Sequence, residues 1–467
     1  MPIDLRLEPS ETALLIDLYE LTMAASYFEH GFNDTACFSL AVRRLPPTRS
    51  FLIAAGLDRL LEVIEDFHFD SPALEYLDSL KLFKPEFLHF LSKLRFTGEV
   101  WAMAEGTIFF SEEPLLEIRA PLIEAQLLET IAINQLGMAT MVASKAARCL
   151  SVARGRRLVE FGMRRSQGAD AALIAARSTY LAGFDGTSDV LAGKRYGIPL
   201  YGTMAHSYIM AHEREREAFA HFAATFPRLS TLLVDTYDTV EGVKGAVAVA
   251  LDLKAKGFQL VGIRLDSGDL LDLSRRSRRI LDDAGLREVA IFASGGLNET
   301  KIEALLKAGA PIDAFGVGTD LAVSADASTL DMIYKLVEYK GIPRLKTSAG
   351  KLSLPGRKQV FRALNDKGAP YADIIGLCEE SADTITREFK PAPAKVATLL
   401  TSHLKDGRRQ LPRPSLAESR ERLLDSLGKL EHAYKSLDRP DVYPVRNSAA
   451  LKAMVIGEKL RAESRQG

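Results

Sequence analysis

Through the middle of the 467-residue chain, short β-branched or apolar runs alternate with helix-length segments, and this rhythm limits the fold more than any other feature. The runs are Leu158–Phe161, Ile198–Tyr201, Thr231–Val234, Leu260–Leu265, Val289–Ala293 and Ile312–Val317. They read as buried parallel strands. Between them lie segments such as Val240–Lys256, where Val240, Val243, Val247 and Leu251 recur at helical spacing. Parallel strands with crossover helices form either an open doubly wound sheet or a β/α barrel. The expected fold is α/β, with an irregular β/α barrel of parallel strands over residues 131–345.

The flanks lack this rhythm. Residues 1–130 predict a helix at Leu14–Phe28, a strand at Ala36–Val42 and helical stretches around Phe51–Phe67. After Gly341 come Gly, Lys and Pro-rich loops, strands near Val360 and Ile374, and a basic Pro-rich connector. The connector ends in Ser415-Leu416-Ala417-Glu418, a capping box that should start a helix with Leu423, Leu427, Leu430 and Tyr434 on one face. Residues 1–130 and 346–467 are expected to build a second, smaller α/β domain, with fraying beyond about Ala450.

Charge and cysteines narrow the class of partner. Sixty basic and sixty-one acidic residues leave a net charge of -1, so no overall field gathers nucleic acid or an anionic membrane. An anionic ligand must meet a local cationic site. Cys37, Cys149 and Cys378 are far apart without CxxC or metal-ligand spacing, which fits a reducing cytoplasm. The amino terminus lacks the features of a signal peptide, and no window carries the roughly 18 apolar residues of a membrane span. The expectation is a cytoplasmic protein.

Barrel chemistry sits in the loops after strand ends, because that face gathers many loops around one cavity. Here those loops carry Glu160 through Arg165, Phe184 through Ser188, Gly202 through His206, Asp235 through Asp238, Arg264 through Asp269, Ser294 through Asn298, and Gly316 through Asp320. The two glycine loops come last, where barrel enzymes often seat phosphate on backbone N–H groups and a helix start. Either alone reads equally well as a tight turn. Arg164, Arg165 and Arg264 suit a ligand carrying phosphate and carboxylate, or salt bridges to Glu160, Asp235 or Asp266. His206 is the one histidine at a strand end, and Asp235 could orient it as a base or nucleophile. Asp235, Asp238, Asp266 and Asp269 are of the type that suits Mg2+, although Asp238 and Asp269 read at least as well as helix caps. Tyr19, on the early helix, reads from its pattern as packing.

Eight motifs occur together in order: DLYELTM, EFGMRRSQG, GTSDVLAG, GTMAHSY, VDTYD, IRLDSGDL, FGVGTDL and PGRKQVFR. With them the chain resembles the nicotinate phosphoribosyltransferase family over most of its length. The resemblance implies a type II phosphoribosyltransferase fold, a homodimer with shared sites, and the formation of nicotinate mononucleotide and pyrophosphate from nicotinate and phosphoribosyl pyrophosphate. It also implies Mg2+, ATP as a co-substrate that phosphorylates a histidine, and a place in salvage to NAD. Carried over by motif, Tyr19 and Phe161 resemble the rings that sandwich the pyridine, Tyr19 from the partner subunit. Arg264, with Thr203 nearby, resembles the contact to the nicotinate carboxylate. Arg164, Arg165, Ser294, Gly295, Gly318 and Thr319 resemble contacts to phosphoribosyl pyrophosphate, and Asp266 the ribose carboxylate. His206 resembles the phosphorylated histidine with Asp235 as its orienting acid, and Lys346, Lys351 and Lys358 are candidate nucleotide-loop contacts.

The nicotinamide enzymes of the same fold place an aspartate directly after a Gly-Thr pair, whereas here Ser188 follows Gly186-Thr187. A carboxylate there would repel nicotinate, so Ser188 favours the acid over the amide, with Asp189 next door expected to point elsewhere. A barrel aldolase or isomerase would need a strand-borne lysine or paired carboxylates, and no lysine occurs in the strand-end loops. A non-catalytic sensor would be expected to lack His206 or the arginines.

Overall fold

A computed structural model describes residues 9–346 and 353–464. It divides into two compact units, Val142–Ser328 and a second made of the residues up to Met141 with those from Thr329 onward.

Val142–Ser328 holds six parallel strands: β1 (Arg157–Glu160), β2 (Gly186–Thr187), β3 (Thr231–Leu233), β4 (Gly262–Leu265), β5 (Ala290–Ala293) and β6 (Ala314–Val317). Their order in space is β2-β1-β6-β5-β4-β3. First and last strands pair, Arg157 opposite Ala314 and Glu160 opposite Val317, as closure into a barrel requires. Among the described residues the ladder is missing only between β2 and β3. The predicted strand Ile198–Tyr201 falls at that gap and shrinks to a single bridge between Thr187 and Leu200. Pro199 has no N–H to give a ladder, Gly197 is left-handed at φ 67°, and Thr187 N–H to Pro199 O (3.1 Å) with Tyr201 N–H to Thr187 O (2.9 Å) is what remains. The other five predicted strands are present: Leu158–Phe161 is shifted one residue earlier, and the remaining four are shorter by one or two residues at one end.

The crossover helices include α1 (Ala169–Leu181), α2 (Val190–Tyr196), α3 (His206–Met210), α4 (Glu215–Thr225), α5 (Thr239–Ala255), α6 (Leu270–Asp283) and α7 (Glu299–Lys307). Four are capped in the same way. Asp189, Asp238, Asp269 and Asn298 each accept backbone N–H groups from the first turn of α2, α5, α6 and α7. Each such cap stabilises its helix by about 1 kcal/mol. Asp238 and Asp269 are therefore helix caps, the structural alternative foreseen for them.

The other unit takes more of the chain than the barrel unit, so the domain built from both ends is not the smaller one. Its main sheet runs in the order Ile342–Pro343, Met332–Tyr339, Thr35–Val42, Pro114–Pro121, Glu99–Met103, Leu400–Lys405, Arg408–Arg409. Residues 332–339, read from the sequence as barrel, thus pair antiparallel with Thr35–Val42. A second sheet joins Lys395–Thr398, Lys358–Leu364, Pro370–Leu377 and Val445–Asn447. The early helix is Leu18–Glu29, preceded by a 3-10 turn at Pro9–Leu14. The capping box at Ser415 and Glu418 is present, and Leu423, Leu427 and Leu430 are buried, with Tyr434 on a following 3-10 turn. The expected fraying is replaced by a helix, Ala449–Ser464, tied down by the Ser448 hydroxyl accepting from Leu451 N–H (3.1 Å) and by the buried Leu451 side chain. No helix among the described residues is long and apolar enough to cross a membrane.

Candidate active site

The site is organised by one guanidinium at the carboxyl end of β4. Arg264 donates from Nε to Ser294 Oγ (2.7 Å), from Nη1 to Thr203 Oγ1 (2.9 Å) and Met204 O (3.4 Å), and from Nη2 to Asp266 Oδ1 (2.6 Å). It therefore ties the loop after β5 and the segment before α3 to its own strand. The planar fork permits this, since its five N–H groups leave in fixed directions. Four bonds leave about one N–H for a ligand. The guanidinium carbon also lies 5.6 Å from the centroid of the Phe161 ring, within cation–π range. Phe161 follows β1 and leans on Phe292, with ring centroids 5.5 Å apart. A Cβ at Gly316 would come within 2.7 Å of the Phe161 ring, so glycine there makes room for it.

Asp266 continues the network. Its Oδ1 accepts from Ser294 Oγ (2.5 Å) as well as from Arg264. Burial disfavours its charge, but the Ser294 hydroxyl and Arg264 outweigh that and hold the carboxyl below the usual range. Its Oδ2 lies 3.9 Å from His206 Nε2. The other ring nitrogen of His206, Nδ1, is 3.1 Å from Thr236 Oγ1. Thr236, not Asp235, is thus the histidine's tether. Asp235 instead accepts on Oδ2 from Asp266 N–H (2.8 Å) and Ser267 Oγ (2.7 Å), which fixes the loop that carries Asp266. Thr236 directly follows Asp235 in VDTYD, so its place at the strand end is legible in the sequence, while its hydroxyl's partner is not.

At β1 the buried Glu160 accepts from Gly162 N–H and from Thr187 Oγ1 (2.5 Å), and the Thr187 hydroxyl in turn accepts from Asp189 N–H (3.0 Å). Burial raises the Glu160 carboxyl despite those bonds. This stack braces the turn between β1 and α1 and leaves Ser188 exposed beside it. Asp189 is spent on its own helix, its Oδ1 accepting from Leu191 N–H (2.9 Å) and Ala192 N–H (3.1 Å). Arg164 and Arg165 are exposed on a 3-10 turn, and neither guanidinium has a carboxylate partner among the described residues. They are available to an anion.

The glycine loops differ in strictness. Gly295 has φ 88°, and a Cβ there would stand 1.8 Å from Asp266 O. Gly318, with Thr319 exposed next to it, would carry a Cβ 3.0 Å from Phe161 O. Both loops lie against the strand ends that bear Asp266 and Phe161. Among the described residues no group of three or more His, Cys, Asp or Glu side chains could hold a metal ion. With Asp238 and Asp269 capping helices and Asp235 holding the Asp266 loop, the donor set does not fit a resident Mg2+.

The structure thus brings together Phe161, Thr203, His206, Asp235, Arg264, Asp266, Ser294 and Gly295 in the barrel unit. Tyr19 belongs to the other unit, on Leu18–Glu29, where it is 46% exposed. Partial burial, then Glu129, Glu20 and Asp17, push its hydroxyl up to about 12. Lys358 is buried in an ion pair with Glu117 (3.0 Å), so it is no nucleotide-loop contact. Lys346 is exposed, and Lys351 lies outside the described residues.

Three family profiles match in sequence. They are described as the nicotinate phosphoribosyltransferase N-terminal domain over residues 14–136, the nicotinate phosphoribosyltransferase family over residues 156–348, and the C-terminal domain over residues 357–455. The chain belongs to the nicotinate phosphoribosyltransferase family. It is 51% identical over 364 residues to a nicotinate phosphoribosyltransferase of Mycobacterium tuberculosis, covering 78% of each chain. A nicotinate phosphoribosyltransferase of Bacillus subtilis is 36% identical, with 93% of this chain and 92% of the relative covered. Among solved structures, human nicotinic acid phosphoribosyltransferase superposes with a TM-score of 0.84 at 32% identity, covering 94% of this chain and 99% of the other. The breadth of these matches covers both units and the barrel mouth alike.

Proposed function

We propose that the barrel mouth joins nicotinate to phosphoribosyl pyrophosphate, releasing pyrophosphate and forming nicotinate mononucleotide for NAD synthesis. The observation that carries this reading is the Arg264 fork, set beside the Phe161 ring and joined to Thr203, Ser294 and Asp266. An aromatic ring with a cation close by suits a flat, anionic pyridine carboxylate. Tyr19 of a second copy would supply the opposing ring in a homodimer. The ring nitrogen of nicotinate attacks the ribose anomeric carbon as the C–O bond to pyrophosphate breaks, so positioning and charge matter more than proton transfer. Arg164 and Arg165, with the Ser294-Gly295 and Gly318-Thr319 loops, would hold the phosphates, and Asp266 the ribose hydroxyls. Mg2+ would arrive on the substrate's phosphates, in keeping with its preference for phosphate and water oxygens.

ATP hydrolysis is coupled, in this reading, through phosphorylation of His206. The imidazole is held through Nδ1 by Thr236, and its Nε2 lies 3.9 Å from Asp266 Oδ2. Ser188 sets the preference for acid over amide, and Asp189 next to it is engaged as the cap of α2. The test is product formation from phosphoribosyl pyrophosphate and Mg2+ with nicotinate or nicotinamide, each with and without ATP. Nicotinate mononucleotide formed preferentially and faster with ATP is the expected result. Preference for nicotinamide would overturn the Ser188 argument, and no product from either would overturn the whole reading.

A further inference from the structure

The glycine loops after β5 and β6 are neighbours, because the two strands pair in parallel, Ala293 opposite Phe315. Each loop opens a helix. Residues 294–298 lead into α7, and Gly318 leads into a short helix, Thr319–Ala322. The backbone N–H groups of Gly295, Gly296 and Gly318 meet no acceptor among the described residues, the condition for a loop that takes up an anion. Buried charge joins the stems of the two loops. Lys145 Nζ, on the helix Glu129–Val152, lies 2.7 Å from Glu299 Oε2 and 2.9 Å from Asp326 Oδ1. Glu299 is the first residue of α7 and Asp326 follows the short helix, so one ammonium reaches both stems. Arg148 adds a bond from Nε to Glu299 Oε1 (3.1 Å). Lys145 and Glu299 are each 3% exposed, and ion pairs buried to that degree are costly to break.

Pinned stems do not fix the tips, where glycines have the most backbone freedom to lose. Among the described residues one side-chain hydrogen bond spans the tips, from Asn298 Nδ2 to Asp320 Oδ2 (2.8 Å). The same side chain accepts on Oδ1 from Lys301 N–H (3.0 Å) as the cap of α7, and Lys301 Nζ donates to Gly296 O (2.6 Å). The cap settles which way the amide faces, and Asp320 as a carboxylate can only accept. We propose that Asn298 is a positioning residue for the transferase: its amide sets the distance between the two glycine loops, so that their N–H groups meet one phosphoribosyl pyrophosphate as a single cradle. Asn298 acts through the loops and need not touch substrate.

This inference rests on the reading of the barrel mouth as a phosphoribosyltransferase site, and two measurements separate the one from the other. Asn298→Ser retains a helix cap but is too short to reach Asp320, so its thermal melt should stay within about 3 °C of the wild type. Its KM for phosphoribosyl pyrophosphate should rise about tenfold, the order of a lost hydrogen bond to a charged group, while kcat and the KM for nicotinate move by less than about threefold. Asn298→Asp also keeps the cap but sets two carboxylates against each other, so its loss should be larger. Adding Asp320→Asn to it restores a donor facing an acceptor with the roles exchanged. Most of the loss should then be recovered, by more than Asp320→Asn alone changes the enzyme. Additive effects in that cycle, or equal shifts in the two KM values, overturn the proposal. Independently of turnover, calorimetry follows the binding of inorganic pyrophosphate with Mg2+. A wild type that binds pyrophosphate but makes no nicotinate mononucleotide, with binding weakened about tenfold in Asn298→Ser, supports the cradle and rejects the functional reading alone. An active enzyme whose Asn298→Ser variant keeps the wild-type KM and pyrophosphate affinity rejects the role of Asn298 alone. A wild type with neither binding nor turnover rejects both.

Discussion

Replacing Arg264 by alanine removes four donated hydrogen bonds and the cation beside Phe161 at once, and the cost divides into a structural and a functional part. On the structural side Asp266 keeps only Ser294 as a side-chain donor. A fully buried pair broken in this way costs about 3–5 kcal/mol, but the Asp266 side chain is 27% exposed and water can repay some of that, so about 1–3 kcal/mol is expected. On the functional side the fork has about one N–H left for the nicotinate carboxylate. A single hydrogen bond to a charged group contributes about 1.5–3 kcal/mol, which is roughly 10- to 150-fold in kcat/KM for nicotinate. The half-saturating ATP concentration should move by less than about threefold, because no nucleotide contact is assigned to this side chain. Arg264→Lys keeps the charge but cannot reach Ser294, Thr203 and Asp266 together, so it should fall nearer to alanine than to the wild type. The assay is initial-rate product formation with nicotinate and ATP varied separately, on protein whose thermal melt shows it folded. Equal shifts in the nicotinate and ATP parameters, or a loss under threefold for nicotinate, would refute the assignment of Arg264 to the carboxylate.

Three further outcomes are expected. Gly295→Ala should lower stability by about 1–3 kcal/mol and reduce kcat/KM for phosphoribosyl pyrophosphate, since φ 88° and a Cβ 1.8 Å from Asp266 O force the Asp266 loop to move; an unchanged melt and unchanged kinetics would contradict the geometry. His206→Ala should retain weak transferase activity but lose ATP hydrolysis, and an unaltered ATPase would reject its role as phosphoacceptor. Glu20 is buried with its carboxyl pushed up to about 7, chiefly by burial, against an ordinary value of 4.5. The folded state then binds its proton more tightly than the unfolded one, so stability should fall as pH rises from about 4.5 through about 7. Glu20→Gln can still accept from Thr130 and should flatten that slope, gaining roughly 1–3 kcal/mol at pH 8 by denaturant titration; parallel slopes in variant and wild type would count against it.

Local signals in this chain are readable where a residue's partner lies a few positions away. Asp238 and Asp269 cap the helices that follow them, and Ser415 with Glu418 forms its box, because the N–H groups they bind are two or three residues on. Five of the barrel strands follow from runs of apolar residues that only a sheet covered on both faces would bury. The alternation of those runs with helices is enough for the α/β class, and the ordered motifs are enough for the family. Pro199 is equally plain in the sequence, and its missing N–H is by itself a reason to doubt a full strand at Ile198–Tyr201.

Pairings across long sequence distances are decided by the tertiary structure alone. That Thr236 rather than Asp235 holds His206, that Arg264 joins the loop after β5 and the segment before α3 to its own strand, and that Lys358 is buried on Glu117 depend on which side chains the barrel and the antiparallel sheet bring within about 3 Å. The same holds for the allocation of Met332–Tyr339 to the antiparallel sheet, since a strand's pattern records its burial but not its neighbour. Glu160 shows the same limit: the sequence places it at a strand end, but not that its carboxyl is buried on Gly162 N–H and Thr187 Oγ1. Burial of a charge is a property of the fold, set by what packs over it rather than by the residues next to it in the chain.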